Sequence, residues 1–254
     1  VIGGLLGTFG PRMPFYVAAG LALANALYGF FIIPETLKPE NRRPFSWARA
    51  NTLGAFAHLR SVPSALVLAA ILFFHQMAHF VLPSVWSFYV IEKFQWTTAE
   101  VGYSLGAAGI FMVIVQGGLI GKVIAKIGSE RAAYAGLVFA ALGYVGYAFA
   151  PNGQIIYVFL GVASFAGLAA PSISAIITTA VPANAQGELQ GALSSLSGIA
   201  AIIAPILMTS AFGYFTAPSA PVHFAGAPFI LSAFFEIIAI VLLARVIRQA
   251  HLTS

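Results

Sequence analysis

Three side chains able to pass protons or make hydrogen bonds stand close together in an otherwise apolar run: His75, Gln76 and His79. At a spacing of four residues, the two imidazoles share one face of a helix. Imidazole changes charge near neutral pH, and ionisable groups in a membrane helix face the bundle interior or a cavity, so this face suits a proton or substrate pathway. It suits hydrogen bonding to a neighbouring helix equally well. Two His with no carboxylate or Cys beside them make an incomplete ligand set, so no metal is expected. Glu236 is the one carboxylate well inside an apolar run, in a chain without Asp. Buried without a partner, it would stay protonated, either as a neutral hydrogen-bonded group or as a carrier of the transported proton. Gln116, Ser172 and Ser194 can bind a polar group of a solute or bond across helices, at roughly 0.6 kcal/mol each. Phe73, Phe74, Phe80, Trp86 and Phe111 are candidates for an apolar substrate pocket. Enzyme chemistry is not expected, because the chain holds no Cys, no Asp, no His-Glu-x-x-His and no Gly-x-Ser-x-Gly.

The elements that must position these groups are membrane helices. Apolar residues make up 60% of the chain and charged residues 7%, with a mean hydropathy of +0.93, which leaves too little polar surface to coat a water-soluble globule. The run from Pro14 to Ile33 is long enough to span a bilayer, and six further apolar intervals follow at about 64–91, 98–121, 132–150, 155–181, 191–215 and 227–246. Between the first span and these six lies the only long polar interval, 34–63, which holds five of the twelve Lys and Arg: Lys38, Arg42, Arg43, Arg49 and Arg60. If this loop is cytoplasmic, alternation puts ten of the twelve basic residues inside and leaves Arg12 and Lys93 outside, a positive-inside pattern that also places the carboxy-terminal tail in the cytoplasm. The net charge of +5 follows this topology and forms no stripe with interleaved aromatics, so a nucleic-acid partner is not expected and the lipid bilayer is.

Small residues recur four apart at Gly102 and Gly106, Gly117 and Gly121, Gly187 and Gly191, and Ser194 and Gly198, a spacing that allows close helix packing. Pro83, Pro171 and Pro205 fall inside spans and should break or kink them, which points to those three spans as lining a cavity. The six later spans divide as three plus three around Pro151-Asn152-Gly153, as transporter repeats do.

Several stretches resemble one family. Gly3-Gly4-Leu5-Leu6-Gly7 is similar to the end of the fifth-helix signature of drug antiporters in the major facilitator superfamily, and Ile33-Pro34-Glu35-Thr36 resembles the entry to their central loop. The run from Gly121 and Lys122 through Gly128 to Arg131 resembles the second, degenerate copy of the superfamily's loop motif. The run Gln186-Gly187-Glu188-Leu189-Gln190-Gly191 resembles the start of helix eleven in the tetracycline/H⁺ antiporters. The resemblance implies an all-α polytopic protein of the major facilitator fold. Residues 1–33 would be the end of helix five and helix six, 34–63 the cytoplasmic central loop, and 64–254 the carboxy-terminal six-helix transport domain with a short tail. It further implies a bacterial inner-membrane carrier that needs an amino-terminal half and exports a small amphiphilic drug such as tetracycline by alternating access. No cofactor is implied, and a proton is the coupling ion. Uptake or exchange of a small metabolite on the same fold is the alternative. Met112 stands where the resemblance implies a His in tetracycline exporters, so the substrate does not follow from the family alone. The resemblance also places Glu236, in the last helix, at the periphery of the cavity.

Overall fold

The computed structural model describes residues 12–32, 63–182 and 185–253, together with Leu6 and Gly10, and these residues are almost wholly helical with no strand among them. The polar interval 34–62 and most of the Gly-rich opening stretch lie outside the described residues. Helix α1 (Met13–Phe31) begins with Pro14 in its first turn, where the fixed φ of proline suits a helix start and its absent N–H costs nothing. Its apolar stretch Phe15–Phe31 is at the short end of what crosses a bilayer. It belongs to a compact unit, residues 1–44, distinct from the one that holds the other helices.

The second unit contains six spans at the intervals expected from hydropathy: Ala65–Phe94, Thr98–Ile127, Ser129–Phe149, Gly153–Thr179, Gln186–Thr216 and Ala227–Arg248. Three are not single α-helices. The first is α2 (Pro63–His79) followed by α3 (Val81–Phe94), with the interruption at Phe80. Pro83 explains it, since without an N–H it cannot bond the carbonyl of His79. The second is α4 (Thr98–Ile114), a five-residue π turn at Val115–Leu119, and α5 (Ile120–Ile127). The fourth is α7 (Gly153–Ser164), a 3₁₀ turn at Phe165–Leu168, and α8 (Ala169–Ala180). Pro171 lies just past that tight turn and cannot bond the carbonyl of Gly167. Pro205, by contrast, sits within α9 (Gln186–Thr216) without ending it. The third span is α6 (Ser129–Phe149), and the sixth lies in α10 (Ala227–Thr253).

Local chemistry sets the helix ends. Thr97 and Glu100 form a capping box, the Thr97 N–H donating to Glu100 Oε2 at 2.8 Å and the Glu100 N–H to Thr97 Oγ1 at 3.4 Å. Asn152 Oδ1 accepts from the Ile155 N–H at 3.0 Å and starts α7. Gly128, at φ +81°, turns the chain from α5 into α6, in a backbone region that an L side chain rarely enters.

Two large apolar clusters fill the bundle, one toward each end, and a small third one joins Met77 to Ala200 and Ala204. One centres on Trp86, Tyr89, Tyr147 and Phe229, with ring centroids 4.6 Å apart for Tyr89 and Phe229 and 5.3 Å for Trp86 and Tyr147. The Trp86 indole N–H donates to Ser104 Oγ at 3.0 Å, and the Tyr89 hydroxyl to the Tyr147 carbonyl. Trp86 is therefore a core residue rather than part of an open pocket. The other cluster gathers Leu68, Ile71, Leu137, Ile173, Ile177 and Leu243. Helix α6 is the hub, packed against α7, α8 and α10. Glycine makes this possible: a Cβ at Gly136 would fall on the Ala169 backbone, and one at Gly143 or Gly146 on Ala163 or Phe159. The glycines singled out by spacing behave otherwise. A Cβ at Gly102, Gly106, Gly117, Gly121, Gly187, Gly191 or Gly198 would meet nothing within 4 Å, so among the described residues these positions pack against no other helix.

Candidate functional site

Between the two apolar clusters, at mid-depth, α2 and α10 each place one ionisable group. His75 lies on α2 between Leu72 of one cluster and Ala78 of the other, and Glu236 on α10 between Ala233 and Ala239. His75 Nδ1 and Glu236 Oε1 are 2.9 Å apart, and both side chains are buried, Glu236 completely. The buried carboxyl has a partner, 161 residues away in sequence. Each group supplies what the other needs in a medium without water, a donor on the ring and an acceptor on the carboxyl.

The second carboxyl oxygen, Oε2, has no hydrogen-bond partner among the described residues, and neither does the buried hydroxyl of Ser172 on α8. The pair can hold one proton as imidazolium and carboxylate or as neutral imidazole and carboxylic acid, with zero net charge either way. Gaining a second proton would leave a net positive charge, and losing the only one a net negative charge. Both states are costly in hydrocarbon and therefore favour movement toward water.

The other candidates are distributed around this pair. His79 is on the same face as expected, its ring 6.4 Å from that of His75, but it is exposed at the end of α2. Gln76 Nε2 donates to Ser197 Oγ at 3.4 Å and links α2 to α9. Ser194, one turn earlier on α9, is exposed. Met112 and Gln116 lie on another span and are also exposed, Gln116 within the π turn. A π turn inserts an extra residue and re-aims the side chains around it. Here the Gln116 side chain lies against Gly167, where an added Cβ would be 3.3 Å from Gln116 Cγ. No group of three or more His, Cys, Asp or Glu able to hold a metal occurs among the described residues.

The motif residues occupy one end of the bundle. Gly121 and Lys122 are exposed on α5, Gly128 makes the turn, and Arg131 is exposed in the first turn of α6. Gln186 is a tie, its amide donating to the carbonyls of Thr178 at 2.9 Å and Val181 at 2.8 Å, so it satisfies the open end of α8 from the start of α9. Gly187, Gln190 and Gly191 are exposed in the next turn.

Sequence reasoning located His75 and Glu236 but not their pairing. The available signal was elimination, since a lone carboxylate and a His in apolar runs are each costly to bury alone. Ser172 was among the candidates.

Residues 1–205 match the family model of the Major Facilitator Superfamily. The class C tetracycline resistance protein of Escherichia coli is 31% identical over 212 residues, which cover 84% of this chain and 53% of that protein. The class G protein of Vibrio anguillarum is 30% identical, with 83% and 53% covered. The chain thus spans about half the length of these relatives. Among solved structures, the human organic anion transporter MFSD10 superposes with a TM-score of 0.71 at 22% identity, covering 92% of this chain and 57% of that one, which supports the fold. With the six spans and the matched family model together, the chain belongs to the Major Facilitator Superfamily.

Proposed function

We propose that this chain is the carboxy-terminal half, together with the last part of the amino-terminal half, of a proton-coupled efflux carrier for a tetracycline-like amphiphilic drug. The observation that carries the drug reading is the likeness to tetracycline resistance proteins over more than four-fifths of the chain. Residues 64–254 form the carboxy-terminal transport domain, 1–33 the last part of the amino-terminal half, and 34–63 a cytoplasmic loop between them. The carrier resides in the bacterial inner membrane with its central loop and carboxy terminus in the cytoplasm, as the distribution of Lys and Arg favours. The exposed spans Thr98–Ile127 and Gln186–Thr216 face the substrate path and the other half, so Met112, Gln116 and Ser194 border the drug. Gly121, Lys122, Gly128 and Arg131, with the Gln186–Gly191 turn, gate the cytoplasmic end.

Proton coupling in this half rests on the buried pair of His75 and Glu236, reached from the exposed side through His79 and Gln76. The pair cycles between one and two protons, and the doubly protonated, positively charged state favours the conformation in which α2 and α10 admit water. The test is efflux by the full-length carrier in inverted vesicles across a range of external pH. His75→Gln and Glu236→Gln are each expected to flatten the pH dependence, while His79→Gln shifts it less. If the double His75→Gln/Glu236→Gln variant inserts normally and keeps the parent's pH profile, the pair is structural and the proton site lies elsewhere.

A further inference from the structure

A groove of about 450 Å³ opens between the first half of α6 and the end of α10, lined by Glu130, Arg131, Tyr134, Val138 and Phe139 with Ile247 opposite. Its polarity is graded along α6. Glu130, Arg131 and Tyr134 occupy the first turns, and beyond them the wall is apolar. Arg131, Tyr134 and Val138 fall at helical spacing on one face, and that face continues as exposed Leu142, Val145 and Phe149. An exposed apolar stripe of this length along a membrane span is suited to acyl chains, and a groove beside it is open to the bilayer.

The polar end of the groove is rich in positive charge. Arg131 makes no hydrogen bond or ion pair with another described residue and is exposed. Lys122 and Lys126 on α5 and Arg245 and Arg248 on α10 are exposed at the same end, so five cations outweigh the carboxylates of Glu130 and Glu188. Tyr134 lies in the second turn of the span Ser129–Phe149, and near the end of a span tyrosine serves as a headgroup-depth anchor. Apolar walls exclude a free inorganic anion from most of the volume, and the basic rim disfavours a cationic amphiphile.

We propose that this groove binds an anionic phospholipid, with one acyl chain along Val138, Phe139 and Ile247 and the phosphate at Arg131 and the Tyr134 hydroxyl. The site is distinct from the His75–Glu236 pair and does not depend on which solute is transported.

The test uses the full-length carrier equilibrated in micelles with equal amounts of phosphatidylglycerol and phosphatidylcholine, with the most tightly retained lipid identified by native mass spectrometry. The expected result is a roughly fivefold excess of phosphatidylglycerol, the factor that one basic side chain near an anionic surface supplies. Arg131→Gln should lower that excess toward parity with an unchanged melting temperature, because Arg131 is exposed. Val138→Trp should fill the groove and remove the tightly held lipid of either kind. Benzoylphenylalanine in place of Tyr134 should cross-link to lipid. Equal retention in the parent, an undiminished preference in Arg131→Gln, or a cross-link to a protein segment would each overturn the proposal. The first two comparisons hold even if the Trp variant fails to fold.

Discussion

Two neighbouring spans, Thr98–Ile127 and Ser129–Phe149, read almost alike and behave as opposites. Both are apolar, with mean hydropathies of 1.9 and 1.5, and both are glycine-rich, yet in their most apolar 18 residues 6% of the first is buried against 56% of the second. In α6 the glycines at 136, 143 and 146 are filled by Ala169, Ala163 and Phe159, whereas Gly102, Gly106, Gly117 and Gly121 face open space. Glycine therefore marks close packing in one span and an unpartnered surface in the other, and its spacing alone does not say which. What separates them is the rest of the face. Around the α6 glycines stand Ala132, Ala133, Leu137, Ala140, Tyr144 and Tyr147, all buried, while the first span buries only Val101, Ser104 and Val115.

The sharpest way to break this contrast is to add volume where α6 has none. Gly136→Leu puts a side chain onto the Ala169 backbone, which cannot give way as a flexible side-chain tip would. The expected loss is about 3 kcal/mol or more, at the upper end of overpacking costs, seen as a large fall in melting temperature or a failure to accumulate in the membrane. A Gly136→Leu variant that melts with the parent would show that α6 and α8 do not pack backbone to backbone at this position.

A smaller effect is expected where the exposed span is fastened to the bundle. Ser104, one of its few buried residues, accepts from the Trp86 indole at 3.0 Å and donates to the Val101 carbonyl at 2.7 Å. Ser104→Ala leaves the indole N–H buried without an acceptor, a cost of about 1–2 kcal/mol. Trp86→Phe, which removes the donor as well, should recover part of that loss in the double variant. Additive losses in the melting temperatures would mean that the bond contributes no coupling.

Much of this fold was legible because the bilayer imposes it. A span needs about 20 apolar residues whatever its neighbours are, so hydropathy located all six, and proline predicted the interruptions at Phe80 and near Phe165. Pro205 does not end its helix, since one lost hydrogen bond in a long helix need not do so. The π turn at Val115–Leu119 was not legible, because it depends on how Gln116 meets Gly167 from another span. For the same reason the candidate site was only half readable. His75 and Glu236 are conspicuous as residue types, but their 2.9 Å contact needs α2 and α10 side by side, and sequence periodicity carries no information on helix neighbours. The motif at Gly121–Arg131 was legible as a turn and a basic patch, while the groove beside it arises from the end of α10, more than a hundred residues later.

The smallest effect should come from the exposed span, and its smallness is what makes it informative. A Cβ added at Gly106 would meet nothing within 4 Å, so Gly106→Leu should neither clash nor open a cavity in this chain, and a residue better suited to a helix slightly favours α4. The stability of residues 1–254 carrying Gly106→Leu, followed by thermal melting, is expected to stay within about 0.5 kcal/mol of the parent, in contrast with Gly136→Leu. In the full-length carrier the two readings of the open face diverge. If it meets lipid, the variant remains neutral, because leucine is at home against acyl chains. If it meets the other half along the substrate path, the added side chain obstructs that contact and drug efflux falls while the isolated chain stays as stable as before. Measuring stability in the short chain and efflux in the long one therefore separates a lipid face from a transport face, and a loss of stability in the short chain would mean that Gly106 is packed against a neighbour after all.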